Sequence, residues 1–212
     1  MTLDEKKQIL SKHPLFRGLD NEALEFIAQL TDEKIYPPHS HIINQDDTVD
    51  TVYFIYKGLV KVYLINRECK YIPVKVTGEN DFVGDLGAID NGPVPATVET
   101  IQETRALYMT KEDFELIIHK YSTLALNLID LWAKKVRIIN EQRENSFSLS
   151  LKERVLYTLE TLAKHFTDNE ISLTQEELAN IVGATRARVT EVLNELQNEK
   201  LILLANRKIK VL

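Results

Sequence analysis

Between residues 33 and 109 the apolar positions fall in short runs rich in Val, Ile, Tyr and Thr, broken by Gly, Pro, Asn and Asp. Breaks at intervals of roughly eight to twelve residues are the pattern of a β-sandwich or β-roll. Strands are predicted over 52–56, 59–65, 71–76 and 104–108, with Gly58 at the tight turn between the first two. A helical lead-in over 2–30, punctuated by Pro14 and Gly18, is expected to pack on the roll. Behind the roll, 111–119 reads as a short helix and 122–145 as a longer one that no Pro or Gly interrupts.

The long helix carries two apolar rows. Leu124, Leu128, Leu131, Lys135, Ile138 and Gln142 follow one another at alternating steps of four and three, which keeps one seam turned toward a partner helix. Ile129, Trp132, Val136 and Ile139 form the second row. A helix lying only on its own domain needs one row. Two rows therefore predict a parallel homodimer, with the row from Leu124 to Gln142 on the partner and the other against the roll. The Ser-rich stretch at 146–150 breaks the helical pattern and reads as a hinge, so a second domain is expected from about residue 149.

In that second domain Thr174-Gln175-Glu176-Glu177 has the form of a capping box, which starts a helix. Leu178, Ile181 and Val182 point it inward, and Gly183 permits the left-handed turn that ends it. Thr185 then caps a second helix, whose core face is Val189, Val192, Leu193 and Leu196. The opposite face presents Ala187, Thr190, Glu191 and Asn194, flanked by Arg186 and Arg188 in the first turn. Helix, short glycine turn and a second capped helix with cations at its N-terminus is the helix-turn-helix plan, whose second helix enters the major groove of DNA. The guanidinium fork matches guanine O6 and N7, while capping hydroxyls and amide ends suit phosphates. On this reading Thr174, Gln175, Thr185, Arg186, Arg188, Thr190 and Asn194 touch DNA. The closing LILLANRKIKVL reads as strand, turn and strand, a wing with Asn206 and Arg207 at its tip and Lys208 and Lys210 beside it.

Charge narrows the partners. The 212 residues carry a net charge of -6, which argues against indiscriminate polyanion binding. From Ser150 onward nine Lys or Arg balance nine Asp or Glu, so the whole of the -6 lies in residues 1–149 and only the tail is suited to approach DNA. The amphipathic charged opening is unlike a secretory signal, and no apolar run reaches the roughly 18 residues of a membrane span, so a cytoplasmic protein is expected. The single cysteine, Cys69, excludes an internal disulfide and a cysteine-ligated cluster or zinc site within one chain. His13, His39, His41, His119 and His165 are scattered, and no metal or cofactor is predicted. No nucleophile and base pairing or Gly-rich phosphate loop points to an enzyme. The rival reading is a ligand-binding or protein-docking module whose helix-turn-helix no longer reads DNA.

The segments PLFRGL (14–19), TGENDFVGDLGAI (77–89), LKERVLYTLETLA (151–163) and LTQEELANIVGATRARVTEVLNELQNEKLI (173–202) resemble the CRP/FNR family of bacterial regulators. The resemblance implies an α+β chain: a cyclic-nucleotide-binding-type antiparallel β-roll over 1–120, a dimerisation helix and hinge over 121–148, and a winged helix-turn-helix over 149–212. It also implies RNA polymerase as a partner. Relatives that bind cyclic AMP have a Gly-Glu pair with an Arg ten residues beyond the Glu. Here the pair is Gly84-Asp85, and Pro95 stands where the Arg would bind phosphate. Ile139 falls where those relatives place a Thr against the adenine. No response to cyclic AMP is therefore expected, and any other effector would meet Gly84, Asp85, Leu86, Ala96, Thr97, Ile139 and Asn140. In the recognition helix Arg186 matches a base-contacting Arg of the family. Ala187 and Glu191 stand where the cyclic-AMP-type proteins have Glu and Arg, so their half-site does not carry over.

Overall fold

Reciprocal hydrogen bonds open the chain: Thr2 Oγ accepts from the Glu5 amide, and the Glu5 carboxylate accepts from the Thr2 amide, starting α1 (Leu3–Lys12). The computed structural model describes residues 1–66, 71–163, 166, 169–205 and 208–212, and of residues 73 and 142–148 the backbone alone. A 3-10 turn at Pro14–Phe16 follows, then α2 (Asn21–Gln29), capped by the Asp20 side chain. Cys69, His165, Asn206 and Arg207 lie outside the described residues, as does the side chain of Gln142.

The strands are β1 (Asp32–Tyr36), β2 (His41–Ile43), β3 (Thr51–Lys57), β4 (Leu59–Ile65), β5 (Tyr71–Gly78), β6 (Asp81–Val83), β7 (Thr97–Thr100) and β8 (Thr104–Thr110). Helix α3 (Asp85–Asp90) stands between β6 and β7, and α4 (Lys111–Lys120) and α5 (Ser122–Ser148) follow β8. Two four-stranded sheets result, in the orders β1-β8-β3-β6 and β2-β7-β4-β5, with antiparallel pairing wherever register is resolved in the first. Alternation along β3 and β8 decides the packing. Val52 sits opposite Met109 and Phe54 opposite Leu107, and all four turn to one core with Leu10, Phe16, Ile27, Phe114 and Ile117 from the helices. Asn127 ties α5 to this layer by donating to the carbonyls of Leu15 and Arg17, each at 2.8 Å.

Chain contacts divide the molecule into two units, residues 1–62 with 77–138 and residues 63–76 with 139–212. In the second, α6 (Leu151–Ala163), β9 (Glu170–Ile171), α7 (Gln175–Val182), α8 (Arg186–Asn198), β10 (Ile202–Ala205) and β11 (Lys208–Val211) form a winged helix. Its sheet runs β10-β11-β9, and its core gathers Val155, Leu159, Leu178, Val189, Leu193 and Ile209.

Two expectations need correction. First, Leu124 and Leu128 do not form a partner seam. They are buried in the chain's own core, and Leu131 packs against them. The same face carries Lys135 inward. The outward apolar positions are Leu126, Ile129 and Val136, each more than half exposed, with Ile138 and Ile139 exposed further along. At 100° per residue Leu126, Ile129 and Val136 share a sector of about 80° opposite the buried row. Of the second row, Trp132 packs on the chain's own core as expected, while Ile129, Val136 and Ile139 are exposed, because a period of 3.5 registers amphipathicity without saying which apolar stripe meets which surface. Second, the helix does not stop at the serines. It continues through Ser148, and only residues 149 and 150 separate it from α6. Ser150 itself acts as a cap, its hydroxyl accepting from the Glu153 amide while the Glu153 carboxylate accepts from the Ser150 amide at 2.7 Å.

Candidate nucleic-acid interface

The turn between α7 and α8 is built by three local preferences. Thr174 Oγ accepts from the Glu177 amide at 3.1 Å, and Glu177 Oε2 accepts from the Thr174 amide at 2.8 Å, which fixes the start of α7. Gly183 ends it at φ 67°, where a side chain would be strained although space exists for one. Thr185 Oγ accepts from the Arg188 amide at 3.4 Å and starts α8. Val189, Leu193 and Leu196 are fully buried and Val192 nearly so, so the roll angle of α8 is set by its core face.

That roll angle exposes Arg186, Ala187, Arg188, Glu191 and Asn194, while Thr190 is half-buried. Arg188 Nε approaches Glu191 Oε2 at 3.7 Å one turn along, both side chains about two-thirds exposed. Thr190 points across the turn, its hydroxyl donating to Gln175 Oε1 at 2.7 Å and lying 2.9 Å from the Arg186 carbonyl. Gln175 and Thr190 were both expected on a DNA face, and they join each other, linking the first residue of α7 to the middle of α8. The sequence carried no local sign of this pairing, because it spans the turn. Lys208, beside the wing tip, is paired with Glu170 at 2.9 Å.

In the first unit, the residues of the suspected cassette are brought together differently from expectation. Gly84 adopts φ 90° as the N-cap of α3, so Asp85 begins that helix and is buried. Its carboxylate is already engaged: Trp132 Nε1 donates to Oδ2 at 2.7 Å, and Lys135 Nζ lies 3.3 Å from the same oxygen. Lys135 also stands 3.9 Å over the Phe82 ring and 4.0 Å from Asp81. Thr97 is buried, with its hydroxyl accepting from the Gln45 amide at 3.0 Å. Pro95 is exposed, Ala96 half-buried and Leu86 half exposed. Ile139 and Asn140 are exposed residues of the second unit. Neither Trp132 nor Lys135 was expected to reach Asp85. The signal available was only a lone lysine within an apolar row.

Beneath this cluster His13 is buried among Phe16, Phe54 and Phe82, its Nδ1 accepting from the Leu15 amide at 3.2 Å. Nε2 meets no hydrogen-bond partner among the described residues. Burial holds the imidazole neutral and lowers its pKa to about 4, against a smaller opposing pull from Asp81. Among the described residues no cluster of His, Cys, Asp and Glu could hold a metal ion, and no helix is long and apolar enough to cross a membrane.

Comparison with known proteins places both units. A cyclic nucleotide-binding domain matches residues 33–121, and a Crp-like helix-turn-helix domain matches residues 153–212. The cAMP-activated global transcriptional regulator CRP of Salmonella typhimurium is 28% identical over 174 residues, 79% of this chain and 83% of the relative. Among solved structures, a putative regulator of the crp/fnr family from Eubacterium rectale superposes with a TM-score of 0.76 at 21% identity, covering 94% of this chain and 93% of that one. The c-di-GMP responsive global regulator CLP of Xanthomonas campestris gives 0.77 at 18% identity, covering 91% and 99%. With a cyclic nucleotide-binding-type roll ahead of a Crp-like helix-turn-helix, the chain belongs to the CRP/FNR family of transcription regulators.

Proposed function

We propose that this regulator works as a cytoplasmic homodimer that reads a two-fold-symmetric DNA site and acts without cyclic AMP. The observation that carries the reading is the exposed N-terminal turn of α8, with Arg186 and Arg188 held outward by a fully buried face. Thr174 and Thr185 contribute hydroxyls and, with Gln175, amide ends for phosphates; Arg186, Arg188 and Asn194 face base edges, and Thr190, joined to Gln175, braces the turn behind them. The working division is a sensor over 1–120, a dimer helix and hinge over 121–148, and a DNA reader over 149–212, with RNA polymerase as the partner in transcription.

Two observations support the finer parts. The exposed apolar stripe Leu126, Ile129 and Val136 supplies a seam for a second copy of α5. The Salmonella relative is named as cAMP-activated and the Xanthomonas neighbour as c-di-GMP responsive. Here the cassette carboxylate of Asp85 is satisfied by Trp132 and Lys135, and Pro95 offers a phosphate no donor. A cyclic nucleotide reaching Asp85 would have to break an internal ion pair first, at a site where a proline stands in the place of the phosphate-binding Arg.

Genomic footprinting and gel shifts test the reading. A single palindromic class of sites is expected, with affinity falling on a log–log salt plot at a slope of about -5 or steeper, since a dimer neutralising roughly six or more phosphates releases their counterions. Equal weak retention of random and genomic duplexes would overturn it. Arg186→Ala should cost about 1 to 3 kcal/mol and relax one base pair per half-site; an unchanged sequence logo refutes that assignment. Trp132 is the only tryptophan and reports the cassette directly. Its fluorescence should not change with millimolar cyclic AMP, and a saturable micromolar response would contradict the effector claim.

A further inference from the structure

Resting on the DNA-reading role of α8, we infer that Glu191 is a specificity residue that selects a cytosine in each half-site. Ala187, Glu191 and Asn194 occupy a sector of about 60° at the centre of the face opposite Val189, Leu193 and Leu196. Ala187 is too small to screen its neighbour, and the Glu191 side chain is 69% exposed. A carboxylate at the middle of a reading face meets base edges, where its chemistry is one-sided, because an ionised carboxylate only accepts.

In the major groove guanine offers two acceptors, and thymine an acceptor and a methyl group. Adenine has one donor, N6, beside the acceptor N7, which repels a second carboxylate oxygen. Cytosine N4 is the donor with no acceptor beside it on that edge. Glu191 therefore favours cytosine over adenine, and both over guanine and thymine. Arg188 makes the approach tolerable: with its Nε 3.7 Å from Glu191 Oε2, it offsets the carboxylate's repulsion from the phosphates and holds it over the face. Glu191 lies five residues beyond Arg186, about 7.5 Å along the helix, which is about two base-pair steps. The half-site should thus carry a guanine read by Arg186 and, about two pairs away, a C·G pair whose cytosine amine faces Glu191.

Selection from randomised duplexes with the wild type, Glu191→Ala and Glu191→Gln tests this. The wild type should enrich both positions. Glu191→Ala should lower the preference at the C·G pair by about 10-fold and keep the guanine. Glu191→Gln should shift that pair toward adenine, which glutamine reads through N6 and N7. All three proteins should melt alike, since no buried contact is lost. A Glu191→Ala logo identical to the wild type's, or tighter binding to every sequence alike, would overturn the inference while leaving DNA reading intact. Failure of the wild type to enrich any site would instead remove DNA reading, and this inference with it.

Discussion

In the proposed homodimer, Ile129→Asp combined with Val136→Asp should separate the two copies and weaken their hold on the proposed palindromic site by about 10² to 10⁴-fold. Both side chains are more than half exposed in the single chain, so neither substitution disturbs a core that the chain makes by itself. In a two-fold seam each replacement is felt twice, and four carboxylates would be brought together where apolar surface had been buried. A monomer keeps its reading helix but loses the second half-site, whose engagement is effectively intramolecular in the dimer. Sedimentation and gel shifts on full and half-sites read the two consequences separately. The control lies on the opposite face: Leu124→Ala should cost about 2 to 5 kcal/mol of stability in the first unit, because Leu124 is fully buried, while the folded fraction stays dimeric. A double aspartate variant that still sediments as a dimer would refute the seam.

The second large effect is on stability against pH. His13 has a folded pKa of about 4 against an ordinary value of 6.5, so the unfolded chain binds the extra proton between those limits. Stability from this group is complete above about pH 6.5, falls as the pH drops, and levels off below about 4. At about 1.4 kcal/mol per unit, going from pH 7 to 4.5 should remove about 2 to 3 kcal/mol from the unit that holds it. Asp81 and Lys135 face the imidazole with opposite signs and leave burial dominant. The carboxylates held low by partners, such as Asp130 beside Lys134 and Glu153 beside Ser150, lose their contribution only at more acid pH, as each is protonated in turn. Urea titrations between pH 5 and 6.5 therefore avoid these carboxylates, and comparison with a His13 variant assigns the share that belongs to this group. His13→Asn retains an acceptor for the Leu15 amide, and although less stable at pH 7 it should show a shallower loss across that window. An undiminished loss in the variant would assign the dependence elsewhere.

Much of the secondary structure was legible in residue order. The predicted strand over 59–65 matches β4, the short helix and the start of the long one fall where expected, and the Thr174–Glu177 box and the left-handed Gly183 appear at their predicted ends. The Ser-Glu box at 150–153 was equally readable, yet the serines around it suggested a longer break than the chain makes. The face of α8 was legible as well, because its four core positions leave only one orientation.

Residue order by itself determined the caps, the turn glycines, the strand and helix periods and the exposed arginine end of α8, since each rests on backbone preferences and hydrogen bonds within three or four positions. Tertiary structure alone decided which stripe of α5 faces the roll, that Gln175 is spent on Thr190, and that Asp85 is held by Trp132 and Lys135 from 47 and 50 residues away. These outcomes depend on which distant surfaces compete for the same apolar face or the same carboxylate, and that competition is settled only when the segments are packed together.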